Sequence, residues 1–158
     1  MSTIFESIQA ARMTPRNDDY PSCDRTTAEL RIYPSCSADE VSKILGLQPT
    51  ESGNAGDLRV TGTGKSRTVK KTHWVLSSEA SVSSKDLRAH LDWLLEKVTP
   101  HSDGLAKLVM QEGTKVCVVC VWWSANGQGG PTLWPEQMKG LADLGIELGF
   151  DIQFHDPE

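Results

Sequence analysis

No apolar run in this chain approaches the roughly 18 residues needed to cross a bilayer, so no membrane-spanning helix is expected. The first twelve residues have no apolar stretch ahead of their first charge, Glu6. A secretory signal needs one, and a cytoplasmic location is therefore the expectation. Basic residues are in the minority: 16 Lys and Arg against 21 Asp and Glu give a net charge of −5. Duplex-binding proteins carry a basic footprint, so the global balance argues against a nucleic-acid partner. Aromatic residues make up only 6%, yet five of them are tryptophan. The four cysteines, Cys23, Cys36, Cys117 and Cys120, are expected as reduced thiols in a cytosolic protein.

What is present is an ordinary globular mixture, 38% hydrophobic and 23% charged over 158 residues. That length suits one domain, able to bury a core without disulfide or metal staples. Residues 1–27 are polar and lack a sustained apolar period, and Met13 to Ser22 reads as an extended or disordered lead-in. Within it, Ile4, Phe5 and Ile8 have the spacing of a short docked helix. Residues 28–158 form the domain proper.

Its first strand is expected over Ala28 to Tyr33, with Leu30 and Ile32 on one face and Glu29, Arg31 and Tyr33 on the other. Ser37 with Glu40 is a capping-box signal for a helix bearing Val41, Ile44 and Leu45, closed by Gly46. A long glycine-rich loop runs from Gln48 to Thr72. A second strand, His73 to Ser78, sets Trp74 and Leu76 against His73, Val75 and Ser77. Leu87, Leu91, Leu94, Leu95 and Val98 then recur at helical spacing, with Ser83 or Ser84 as cap, and Ser102 to Met110 makes a further short helix. Lys115 to Trp123 is apolar on both faces, as in a covered central strand. Pro135 opens a helix with Met138, Leu141, Ala142 and Leu144 on its buried side, ended by Gly145. In the last strand Leu148, Phe150, Ile152 and Phe154 alternate inward against Glu147, Gly149, Asp151 and Gln153.

This order predicts an α+β domain: a ferredoxin-like sandwich of two split β-α-β units, one or two helices inserted between them, and a mostly antiparallel sheet with helices on one face. The other face would carry Arg31, Tyr33, His73, Ser77, Asp151 and Gln153.

Catalytic and metal motifs are weak. Gly62-Thr-Gly-Lys-Ser66 resembles the end of a phosphate-binding loop, but Arg59 stands where the first glycine is required and no convincing helix follows. Cys117 and Cys120 have knuckle spacing, but on a strand positions i and i+3 point to opposite faces, so core thiols are expected rather than a metal or redox site. The histidines at 73, 90, 101 and 155 are scattered. Only His73 has plausible polar neighbours, while His90 is placed near the solvent edge of its helix. Trp122 and Trp123 must face opposite sides of their strand. A half-exposed tryptophan there would anchor a ligand or partner, unless residues 1–27 or the long loop cover it. The acid-free basic run Arg59 to Lys71 would attract an acidic partner or phosphate if it is more than a solvated loop.

Glu29-Leu-Arg-Ile32, Leu45-Gly-Leu-Gln-Pro-Thr50, Gly56-Asp57, Trp74-Val-Leu-Ser77 and Leu91-Asp-Trp-Leu-Leu95, in this order, together with the terminal helix and strand from Leu141 to Phe154, resemble a bacterial family called domain of unknown function 4279. The resemblance covers residues 28–154 and implies no catalytic residues. The expected function is a non-enzymatic module that binds a protein or small ligand on the helix-free sheet face, which includes immunity-type neutralisation of a toxin. Tyr33, Asp57, His73, Trp123 and Asp151 are the candidate contacts, with no metal or cofactor. The alternatives are a small hydrolase or transferase using Asp57, His73 and Asp151, or a homodimer built through the sheet face that hides Trp123.

Overall fold

The computed structural model describes residues 11–154. Strand β1, Cys23–Tyr33, starts five residues earlier than its alternation predicts, because Thr26 and Thr27 are buried alongside Ala28, Leu30 and Ile32. Helix α1 follows at Ala38–Leu45. The Ser37 side chain accepts the Glu40 N–H, and Gly46 closes the helix in the left-handed region at φ 77°. The predicted loop from Gln48 to Thr72 holds three short strands, β2 (Glu51–Gly53), β3 (Leu58–Val60) and β4 (Ser66–Thr68), ahead of β5, His73–Ser77. Helix α2, Leu87–Val98, is capped by Asp86 rather than by Ser83 or Ser84. A single 3-10 turn at Thr99–His101 leads into α3, Ser102–Met110. Then come β6 (Lys115–Ser124), α4 (Pro135–Leu144) and β7 (Glu147–Phe154).

The class is α+β, with a five-stranded, mostly antiparallel sheet in the order β2-β5-β1-β6-β7. This order differs from that of a ferredoxin-like sandwich. In a split unit a third strand separates two parallel ones. Here β5 lies directly beside β1 and antiparallel to it, and β7 lies directly beside β6 and parallel to it. The first half is therefore an antiparallel pair bridged by α1, and the second an unsplit β-α-β unit. Two helices, α2 and α3, are inserted between the halves.

The helices cover one face. Leu30, Ile32, Trp74, Val118 and Cys120 from the sheet meet Val41, Leu45, Leu91, Leu94, Leu105 and Leu141 from the helices in one buried cluster. Contact between α1 and α3 is close enough that a Cβ at Gly104 would lie 2.3 Å from the Ile44 carbonyl oxygen, so only glycine fits there. The inward alternation predicted for β7 holds only at its start. Leu148 packs on the core, whereas Phe150, Ile152 and Phe154 are exposed at the sheet edge, as is Met138 on α4.

Residues 12–20, within the segment whose composition suggests an extended or disordered lead-in, form an extended strap across the ends of α2 and α4. The Lys85 N–H donates to the Asp18 carbonyl and the Asn17 N–H to the Asp86 carboxylate. The Tyr20 hydroxyl sits 2.9 Å from the Gly130 carbonyl, and its ring meets Trp122 edge-on. Ile4, Phe5 and Ile8, the predicted docked helix, lie outside the described residues.

Candidate functional site

Strand register assembles the helix-free face, the side of the sheet that no helix covers among the described residues. Arg31 lies opposite Val75 on one side and Cys117 on the other, Glu29 opposite Ser77 and Val119, and Val121 opposite Asp151. The face therefore has two ends. Tyr33 and His73 occupy the first. Trp123 and Asp151 occupy the second.

The first end is a shallow trough of about 540 Å³ lined by Glu29, Arg31, Tyr33, Glu51, His73 and Ser77 among others. Its charged groups already satisfy one another. Arg31 donates to Glu29 at 2.8 Å. Glu51 receives Arg59 at 2.9 Å and stands 3.3 Å from His73 Nε2. The Arg59 hydrogen bond, reinforced by His73 and opposed by partial burial, holds the Glu51 carboxyl below its ordinary range. His73 Nδ1 is 3.0 Å from the Lys71 carbonyl. Both ring nitrogens thus face acceptors, and a neutral imidazole can donate to only one of them. The Lys71 ammonium lies 4.4 Å above the Tyr33 ring.

A second hollow, about 350 Å³, adjoins the trough at His73 and is lined by Arg59, Arg67, Lys70 and Lys71. It belongs to the β3–β4 hairpin, where the Thr61 N–H donates to the Lys65 carbonyl. Gly62 to Lys65 is the turn of this hairpin, and strand β4 begins at Ser66. A phosphate-binding loop instead aims a helix N-terminus at its ligand.

At the second end the Arg25 guanidinium covers the half-buried Trp123 ring at 5.2 Å, and Asp151 accepts from Gln153. Trp122 points the other way, buried under Tyr20.

The candidate residues therefore do not form one cluster. Tyr33 and His73 are neighbours, whereas Asp57 lies in the turn before β3, where it accepts the Asn54 N–H, and lines neither hollow. His73 and Asp151 are three strand steps apart, about 14 Å at the usual spacing, and six residues apart along β1, about another 20 Å. A single active centre cannot use both.

Cys117 and Cys120 take opposite faces. Burial pushes Cys120 up to about 12, Cys23 up to about 11, and Cys117 upward as well, so none of the three is a ready thiolate. Among the described residues no group of three or more His, Cys, Asp or Glu converges to hold a metal ion.

Composition gave no sign of one polar pair. His90 is buried, not at the solvent edge: it is three residues after Leu87 and four before Leu94, on the buried stripe itself. Its Nε2 lies 2.6 Å from the Ser84 carbonyl and must donate there. Its Nδ1 therefore accepts the Ser78 hydroxyl at 2.6 Å, while the Ser78 oxygen accepts the Ala28 N–H. The arrangement imitates a serine–base pair, but at 0% and 1% exposure neither residue can meet a substrate. It splices β5, β1 and α2 together. Burial, only partly offset by the Ser84 carbonyl and Asp86, lowers the affinity of His90 for a proton below the ordinary 6.5. Folding is thus favoured above that value, and this contribution is lost as pH falls through it. Urea midpoints are expected to drop from pH 7 to 5, with a slope of up to about 1.4 kcal/mol per pH unit from this group. His90→Gln should flatten that slope, and equal slopes in the two proteins would refute the assignment.

Residues 24–155 match the model of a family described as Domain of unknown function (DUF4279), and the chain belongs to that family. No curated protein and no solved structure matches it. Among the described residues no helix is long and apolar enough to cross a membrane.

Proposed function

We propose that this DUF4279 member is a non-enzymatic module of the bacterial cytoplasm that takes a protein partner on the helix-free face of its sheet. The supporting observation is the internal pairing of that face. Glu29 with Arg31, and Glu51 with Arg59 and His73, leave a shallow polar trough rather than a deep pocket with an unpaired base or nucleophile. Shallow, polar-rimmed surfaces with half-buried aromatics suit protein recognition. Tyr33 and Trp123, one at each end, are the anchors.

Charge favours a partner of mixed sign. Residues 58–73 carry Arg59, Lys65, Arg67, Lys70 and Lys71 without an acid, so that segment is +5 and the rest of the chain is −10. A partner lying along the face would set acidic groups near the hairpin and basic groups near Glu147 and Asp151. An immunity-type role, blocking a basic toxin, fits the larger acidic part.

The test immobilises the wild-type chain, Tyr33→Ala/Trp123→Ala, and Lys107→Glu on the helix side. A bound protein should be lost by the double variant, with affinity down about 30-fold per anchor, and kept by Lys107→Glu. Equal capture by all three would sink this reading.

A further inference from the structure

The two edges of the sheet are not alike. One edge is β2, three residues long. Short edge strands are a common protection against unwanted pairing. The other edge is β7, eight residues in unbroken register with β6, with no proline, lysine or bulge. Among the described residues no strand pairs with its outer side. Phe150, Ile152 and Phe154 are 49%, 38% and 60% exposed there, although their neighbours on β6, Cys120, Trp122 and Ser124, are buried.

The sequence of β7 also limits what can pair with it. In an antiparallel self-pair the apolar row stays on one face only when even-numbered residues lie opposite even-numbered ones. Four central registers satisfy this, and the one centred on Gly149 sets Glu147 against Asp151 and uses only residues 147–151 of the strand. Centring on Asp151 sets that carboxylate against its own copy, and like charges directly opposite are destabilising. Centring on Ile152 uses only residues 150–154 of the strand. Centring on Phe150 pairs Phe150 with Phe150, Leu148 with Ile152, Asp151 with Gly149 and Glu147 with Gln153. Every apolar side chain then meets an apolar one, and each acid meets an uncharged residue, over residues 147–153.

We propose that β7 is a homodimerisation edge. Two copies pair antiparallel about Phe150, join their sheets into one of ten strands, and bring their helix-free faces side by side. The interface is isologous. Each half-exposed phenylalanine contributes about 100 Å² of its roughly 200 Å² side chain. That is well short of the about 800 Å² per partner of a standard interface, so the dimer should be of micromolar affinity. Unlike a dimer built through the sheet face, it leaves Trp123 open and sets the two Trp123–Asp151 ends on either side of the twofold.

Sedimentation of the full chain from about 1 to 500 µM should show a reversible monomer–dimer equilibrium in this affinity range. Phe150→Lys should weaken it at least tenfold. Under mild oxidation Phe150→Cys should form an intermolecular disulfide, since directly opposed residues lie within bridging distance. Wild type, with its own four cysteines, and Asp151→Cys should not. A concentration-independent monomer would overturn the proposal, as would a dimer indifferent to Phe150→Lys or one cross-linked through Asp151→Cys instead. So would a monomer that dimerises only after residues 1–10 are deleted, because the occupant of the edge would then be the chain's own N-terminus.

Discussion

Replacing Arg88 by alanine is expected to cost about 3–5 kcal/mol, because it leaves a buried carboxylate without its counter-charge. Asp86 and Arg88 are both fully buried. Arg88 Nε donates to Asp86 Oδ1 at 2.9 Å, and Nη2 to Oδ2 at 2.7 Å. The remaining donors reach the Thr14 and Pro15 carbonyls of the strap, and the guanidinium lies 4.6 Å over Trp134. Arg12 covers the same ring at 4.1 Å and pairs with Glu136. One side chain thus neutralises a helix cap, fixes two strap carbonyls and packs half of a cation–aromatic sandwich. Lysine cannot replace that fork. Arg88→Lys should recover only part of the loss, whereas Asp86→Asn/Arg88→Met should cost less than Arg88→Ala alone, since no charge is then orphaned. Urea midpoints at unchanged m-value measure all three. A loss under 1 kcal/mol for Arg88→Ala would mean that water reaches Asp86 and that the strap is not part of the fold.

Acid should dismantle this region in two steps. Burial works to raise the Asp86 value, but the Arg88 hydrogen bonds and the Asn17 and Arg88 backbone N–H groups win and hold it below 3.8. That stabilisation is present above 3.8 and disappears as pH falls through the lower folded value. The His90 contribution is lost earlier, below about 6.5.

The elements were legible because their signals are local. Ser37 and Gly46 bracket α1, and alternation sets Leu30 and Ile32 against Glu29 and Arg31. Even the composition of the open face was readable, since the period of two survives any strand order. Strand order itself was not readable. Nothing in Ala28–Tyr33 or His73–Ser77 states which neighbour each strand takes, and the split-unit topology failed on that point. The strap was hidden because main-chain carbonyls at Thr14 and Pro15 and a single aromatic ring, Tyr20, hold it, rather than a periodic row of apolar side chains. Asp57, His73 and Asp151 had the right residue types for one site, and only the register revealed their separation. Phe150 and Ile152 alternate like core residues, but an edge strand that runs past its covering helix leaves the same pattern exposed.

Trp74 provides the second large effect and a direct test of which face is which. It is fully buried on β5, between the sheet and α1, and its Nε1 donates to Ser42 Oγ at 3.0 Å. Trp74→Ala should lose about 3–5 kcal/mol. Trp123→Ala, on the open face, should lose about 1 kcal/mol or less. Ser42→Ala isolates the polar component: the indole N–H stays buried without its acceptor, at a cost of about 1–3 kcal/mol. Trp74→Phe removes that N–H, so Ser42→Ala made in the Trp74→Phe background should cost less than in wild type. A double-mutant cycle read by urea unfolding gives the coupling directly. Comparable losses for Trp74→Ala and Trp123→Ala would mean that both faces of the sheet are covered, and a recognition surface on the helix-free side would then have no place. A large asymmetry instead ties the stability of β5 to its helix side. His73, Val75 and Ser77 are then free to vary with the partner, because the residues between them hold the strand.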